Sequence, residues 1–157
     1  MIVFIEIANT FSTGPLKTAA GYRGARPLYE ALRQGYQLVG LTQSPPEICR
    51  WWLRREHMSE WAQILHHDPD SWPDYSDWKV QQVRDHLADG WEIAFYLDND
   101  WRALEQVHDL GVTTMRIDHA VVRPGWRDPE TTAPRAWADV ASTVESLHPE
   151  GTQHGTG

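Results

Sequence analysis

Apolar residues in this chain fall into short runs separated by stretches with helical spacing, and the alternation continues to about residue 117. Ile2, Val3, Phe4, Ile5 and Ile7 form a nearly unbroken apolar run rich in β-branched side chains. That is the pattern of a central parallel strand buried on both faces. The run stops at Ala8-Asn9-Thr10, and residues 11–24 have no period and contain three glycines. This predicts a loop, or a small hairpin flap, over the strand's end. A helix opens at Arg26-Pro27 and runs to about Arg33, with Leu28, Ala31 and Leu32 on one face and Gly35 as its stop. Tyr36 to Leu41 predicts a second strand ending in Thr42-Gln43-Ser44.

Pro45-Pro46 begins a second helix through about Met58, with Ile48, Trp51, Trp52 and Arg55 at helical spacing. Trp61 to Leu65 predicts a short third strand, followed by the polar, proline-broken segment 66–74. Asp77 is the expected N-cap of a third helix carrying Lys79, Val80, Val83 and Leu87 and ended by Gly90. Trp91 to Leu97 predicts a fourth strand terminating in Asp98-Asn99-Asp100. A fourth helix, Trp101 to Leu110, stops at Gly111, and Val112 to Ile117 predicts a fifth strand.

Strands alternating with helices of about ten residues imply βαβ units, right-handed crossovers and a parallel sheet. The expected fold is therefore α/β, with a mainly parallel five-stranded sheet over residues 1–125. From Arg123 the texture changes, with Pro124, Gly125, Pro129 and Pro134 in close succession. Residues 126–157 read as a C-terminal extension, with a helix over 135–147 and then a tail too polar to order itself.

Composition narrows the function. The chain has 157 residues and 41% hydrophobic content, enough for one good core. Its formal net charge of −8 argues against non-specific nucleic-acid binding. It leaves room for a nucleotide held by a few placed cations. The single cysteine, Cys49, excludes an intramolecular disulfide or a cysteine zinc cluster and fits a reducing compartment. No stretch is long enough to span a bilayer, and Met1 runs into a strand without a charged leader. The expectation is a cytoplasmic chain, compatible with a homo-oligomer. Nine tryptophans is a high count. Trp51, Trp52, Trp72, Trp78 and Trp101 are read as packing material, with room for one beside a ligand.

The candidate chemistry lies at the strand ends: Glu6, Asn9 and Thr10, then Thr42 and Ser44, then Asp98 and Asp100. A parallel sheet brings such ends to one edge, where ligands bind in open α/β folds. A buried Glu6 needs a partner or a metal. Lys79 can point into the same crevice. Each residue also has a plainer role: Thr42 as a turn residue, Lys79 on a solvated helix face, Asp98-Asn99-Asp100 capping the fourth helix. His66-His67-Asp68 resembles a metal site, but adjacent histidines on a strand point in different directions. Lys17, Arg23 and Arg26 flank the flap, where they meet either a phosphate or solvent.

In order and spacing these strand ends resemble the haloacid dehalogenase-like (HAD) phosphohydrolases. Leu38-Val39-Gly40-Leu41-Thr42 looks like their second motif, Lys79 like the third, and Phe95 to Asp100 like the fourth. Only about thirty residues separate the first two motifs, so the resemblance implies a compact, three-layer Rossmann-like domain with no large cap, similar to HAD-like proteins encoded by phages; for a viral protein the compartment is the host cytoplasm. It also implies Mg²⁺ held by Glu6, the main-chain carbonyl of Ala8 and Asp98. Phosphate would be bound by Asn9, Thr10, Thr42, Gln43 and Lys79. The departure is in the first motif, where the family has Asp at both Glu6 and Ala8. A nucleophile carboxylate displaced on the order of 1 Å can cost ~10²-fold. Loss of the general acid–base at Ala8 costs ~10²–10⁴-fold. The resemblance therefore implies a scaffold that binds a phosphorylated small molecule or nucleotide with impaired catalysis. The alternatives are an active Mg²⁺-dependent phosphohydrolase with chemistry re-routed through Asp100 or Asp68, and a non-catalytic protein-interaction module.

Overall fold

The computed structural model describes residues 1–8 and 10–117. Asn9, the extension over 126–157 and its helix over 135–147 lie outside the described residues. Nine elements alternate: β1 (Ile2–Glu6), α1 (Ala25–Gly35), β2 (Gln37–Thr42), α2 (Pro46–Arg55), β3 (Gln63–His66), α3 (Tyr75–Ala88), β4 (Ile93–Asp98), α4 (Trp101–Asp109) and β5 (Thr114–Arg116). The sheet order is β3-β2-β1-β4-β5, every pairing is parallel, and β1 is the central strand. Its five residues are all buried, as the apolar run requires.

Strand parity sorts the core into two layers. Val3 and Ile5 pack with Tyr29 and Leu32 of α1 and with Cys49, Trp52 and Leu53 of α2. Ile2 and Phe4 pack with Trp78, Val80 and Val83 of α3 and with Ala103, Leu104 and Val107 of α4. The result is three layers, two helices on each side of the sheet. Among the described residues no helix is long and apolar enough to cross a membrane.

Several expected boundaries move. The third strand starts at Gln63 because Trp61 leaves the sheet to pack beside Tyr29 and Phe11. The fourth starts at Ile93, with Trp91 half exposed. The fifth shortens to three residues. α2 stops at Arg55, short of Met58, because His57 takes a left-handed φ of 57°. The N-cap of α3 is Asp74 and not Asp77: the Asp74 carboxylate accepts the Asp77 N–H at 3.0 Å. Trp52 and Trp78 are core residues, whereas Trp51, Trp72 and Trp101 are exposed and are not packing material. The segment after β1 does form a small hairpin, with Ser12 bridged to Gly21 and Tyr22 N–H donating to the Phe11 carbonyl. Leu16 and Phe11 anchor it in the core, and Trp52 Nε1 holds the Ala19 carbonyl at 3.0 Å.

Gly40 is where β2 passes under this packing. A Cβ there would lie 2.7 Å from Ile7 Cδ1 and 3.2 Å from two ring carbons of Trp61. Ile7 is fully buried and cannot swing away. Gly40→Ala should therefore destabilise the protein by about 1–3 kcal/mol, the cost of overpacking a filled core. Thermal unfolding followed by circular dichroism measures this, and an unchanged midpoint would mean that β2, Ile7 and Trp61 do not meet as described.

Candidate functional site

The row of side chains that begins with Ile2 and Phe4 on the α3/α4 face of β1 continues to Glu6, since alternate strand residues share a face. On β4 the same parity carries Tyr96 on to Asp98, the strand's last residue. α3 crosses above them and offers Tyr75, Ser76 and Lys79 from its first turns, at the i, i+3 and i+4 spacings that share a helix face. These residues meet. Lys79 Nζ lies 2.6 Å from Asp98 Oδ2 and 3.1 Å from Asp100 Oδ2, with its side chain 2% exposed. The ammonium also sits 4.8 Å from the centre of the Tyr75 ring.

Asp98 is fully engaged. Oδ1 accepts the backbone N–H groups of Asn99 at 2.8 Å and Asp100 at 3.0 Å, while Oδ2 accepts Tyr96 OH and Lys79. Asp100 caps α4 through the Arg102 N–H and also accepts the Ser76 hydroxyl. Glu6 is less well served. Its Oε1 accepts Tyr75 OH at 3.3 Å, and its Oε2 is buried with no hydrogen-bond partner. Tyr75 is braced in turn by Trp78, stacked at 5.5 Å, and by the His67 ring at 5.0 Å.

Burial pushes the Glu6 carboxyl well above the usual range, and the nearby Asp98 charge adds to this against partial relief from Lys79 and Tyr75. The Tyr75 and Tyr96 phenols are raised, first by burial and then by the neighbouring carboxylates. Asp100 goes the other way. Burial opposes its ionisation, but the Ser76 hydroxyl and Lys79 together bring it below the ordinary value.

Two clefts meet at this edge and share Glu6 and Gln43 as a common wall. One, of about 360 Å³, is also lined by Tyr75, Ser76, Lys79, Asn99 and Asp100. The other, of about 390 Å³, runs from Ala8 under the hairpin past Leu16 and Lys17 to Ser44 and Ile48. Of the expected site residues, Glu6, Gln43 and Lys79 line the first cleft, and Glu6, Ala8 and Gln43 the second. Asp98 is buried behind Lys79, and Thr10 and Thr42 are buried without lining either cleft. Thr42 Oγ1 accepts the Ser44 N–H at 3.0 Å, which is the turn role open to it from the start. Asp68 is spent on its own turn, accepting Ser71 Oγ at 2.6 Å, and lines neither cleft. His66 and His67 are engaged with the carbonyls of Ser44 and Trp72. Tyr75, Ser76 and Tyr96 were not anticipated, although Tyr75 precedes Lys79 by one helical turn and Tyr96 precedes Asp98 by one strand repeat.

A divalent cation fits half of this donor set. Glu6 offers a buried oxygen with no partner, in a cluster where three carboxylates face one ammonium. Ala8 lines the same cleft, and its carbonyl accepts the Thr10 N–H. Asp98, in contrast, has four donors on its two oxygens, which is all that a carboxylate accepts. Among the described residues no group of three or more His, Cys, Asp or Glu side chains is placed to hold a metal ion. A cation here would need carbonyl, phosphate or water oxygens as well, as Mg²⁺ commonly does.

No protein-family model matches the chain, and no curated protein matches it. Solved structures do. A chain of the Pnkp1/Rnl/Hen1 RNA repair complex matches with a TM-score of 0.64 at 13% identity, covering 74% of this chain and 42% of that one. A dehalogenase crystal structure matches with a TM-score of 0.52 at 15% identity, covering 87% of this chain and 60% of the other. A haloacid dehalogenase-like family hydrolase from Streptococcus pneumoniae aligns over 63% of this chain and 47% of its own, at 14% identity and a TM-score of 0.47. The chain therefore spans between 42% and 60% of the length of these structures. At such identities the likeness is one of fold: five parallel strands and four helices in a compact, Rossmann-like, HAD-type arrangement.

Proposed function

We propose that this chain is a HAD-fold protein that binds a phosphorylated small molecule or nucleotide together with Mg²⁺ and turns it over at close to the uncatalysed rate. The observation that carries the reading is the Lys79-centred carboxylate cluster opening onto the clefts at Glu6, beside an Ala8 that has no titratable group. Asp98 and Asp100 already share the one ammonium, with Glu6 beside them, so a phosphate finds no unshared cation at the mouth. A divalent cation held by Glu6 and the Ala8 carbonyl would displace the Glu6 proton and offset the charge of the phosphate. Two of the three Lys79 donors go to Asp98 and Asp100, and the third would have to turn from the Tyr75 ring to serve a ligand.

The same geometry works against turnover. Position 8 holds no acid to protonate a leaving group. Asp100 is a poor substitute, since Ser76 and Lys79 keep it ionised. Tyr75 already donates its phenolic proton to Glu6. Glu6 with its raised pKa favours the neutral carboxyl, which is not a nucleophile. The re-routed hydrolase is thus the weaker reading.

Against p-nitrophenyl phosphate with Mg²⁺, the natural chain should show near-background rates. Ala8→Asp should raise them by about 10²-fold or more, the scale of general acid–base help, and Ala8→Asp with Glu6→Asp should raise them further. Vigorous hydrolysis by the natural chain, unaffected by Glu6→Ala, would place the chemistry elsewhere.

A second expectation concerns stability. Because folding raises the Glu6 pKa, its favourable contribution is complete below the unfolded value of 4.5 and is lost as pH rises through the folded value. Glu6→Gln should accordingly be more stable than the natural chain at pH 8, by on the order of 1–3 kcal/mol for a buried unpaired acceptor. The advantage should shrink towards pH 4. Urea unfolding at the two pH values measures it, and a variant less stable at pH 8 than at pH 4 relative to the natural chain would contradict the charge assignment.

A further inference from the structure

The cleft under the hairpin does not end at the Glu6 mouth. Lys17 and Ile48, which line it, also line a third cleft of about 310 Å³ whose far wall is Trp51, with Glu47 beside it. Glu6 and Gln43 line both of the first two clefts, so the three adjoin in a row from Lys79, past Glu6 and Lys17, to Trp51, here called the groove. Each section lies within the ~300–1,000 Å³ range of small-molecule sites.

Trp51 and Trp52 are neighbours with opposite fates. Trp52 is fully buried in the α1/α2 layer, whereas Trp51 is 48% exposed at the groove's end. The Arg55 guanidinium lies over the Trp51 ring, 4.8 Å from its centre. An aromatic plane backed by a cation and open to a groove is a stacking platform for a base.

Cations are concentrated in the first third of the chain. Residues 1–55 contain seven Lys and Arg, including Lys17, Arg50, Arg54 and Arg55, against three acids, Glu6, Glu30 and Glu47, for a net +4. The remaining residues hold seven basic against nineteen acidic side chains, for a net −12. Of the cations in residues 1–55, Lys17 lines the groove, beside Glu6 and Glu47, and Arg55 meets it through the Trp51 ring, whereas Arg50 and Arg54 line a different cleft. A phosphorylated sugar with no base would use the Lys79 end and leave the aromatic end empty.

We infer that the ligand is a nucleotide lying along this groove, its terminal phosphate at the Glu6–Lys79 mouth, a second phosphate passing Lys17, and its base stacked on Trp51. This rests on the phospholigand reading and adds the substrate class to it. No bond is made or broken in the binding step.

Isothermal titration of the full chain with Mg²⁺ tests this, using guanosine and adenosine 5′-diphosphates, the corresponding monophosphates, ribose 5-phosphate and inorganic phosphate as probes. The nucleotides should bind at least tenfold more tightly than ribose 5-phosphate. Trp51→Ala should weaken nucleotide binding by roughly 5- to 150-fold, the range of one base–aromatic stack, while leaving ribose 5-phosphate unchanged; Trp51→Phe should retain most of the affinity. Lys17→Ala should remove the preference for diphosphates over monophosphates. Equal affinity for nucleotides and ribose 5-phosphate, or a nucleotide affinity indifferent to Trp51→Ala, would overturn the inference. If Lys79→Ala still abolished ribose 5-phosphate binding in that case, the phospholigand reading would stand. Absence of binding by every probe, inorganic phosphate included, would overturn both.

Discussion

The ammonium of Lys79, taken out of water at the carboxyl edge of the sheet, is the interaction on which the other parts of the site depend. Removing an ammonium and a carboxylate from water costs several kcal/mol per ion, and their attraction repays this only when the remaining donors and acceptors are satisfied. Asp98 meets that condition through Tyr96 and two backbone N–H groups, and Asp100 supplies the second contact to Lys79. The pair ties the first turns of α3 to the end of β4. Tyr75, one turn before Lys79, is thereby held over Glu6, and Arg102 of α4 reaches Asp74 and Asp77 of α3, both at 2.8 Å. The exposed Arg102 contacts add little to stability; the buried pair sets the geometry.

Within that frame Glu6 is where stability is conceded. Every other carboxylate of the cluster has its oxygens engaged, but Glu6 Oε2 has no partner. A buried acceptor left unpaired costs roughly 1–3 kcal/mol, and an apolar residue at the end of β1 would avoid this. That cost is carried where two adjoining clefts meet at the carboxyl edge of the sheet, and the proposed ligand would repay it. Local strain or dissatisfaction at functional sites follows the same logic elsewhere.

The sequence made the layers and the site's edge legible for one physical reason: in a parallel sheet the carboxyl ends of the strands converge, so the residue at which each apolar run stops is also a residue at the crevice. Glu6 stands at such an edge and lines both clefts, while Asp98, at the end of β4, lies buried behind Lys79. Boundaries failed where side chains compete for one role. Asp74 and Asp77 can both cap α3, and the choice falls to Asp74 because its carboxylate reaches the N–H three residues on. Trp61 and Trp91 look like strand residues by type, yet one packs on the aromatic cluster of Tyr29 and Phe11 and the other is half exposed. Thr42 and Asp98 stood in the motif positions, but their hydrogen bonds are internal. Tyr75 and Tyr96 escaped notice because aromatic residues in α/β proteins usually read as core, and only the observed partner atoms mark them as polar neighbours of the site.

The most direct test is a high-resolution crystal structure of the natural chain grown with Mg²⁺ and tungstate as a phosphate mimic. The account predicts a metal on Glu6 Oε2 and the Ala8 carbonyl, with the oxyanion held by the third donor of Lys79, and no covalent adduct on Glu6. A crevice containing only water, with Glu6 Oε2 still unpartnered and the tungstate bound elsewhere, would contradict it.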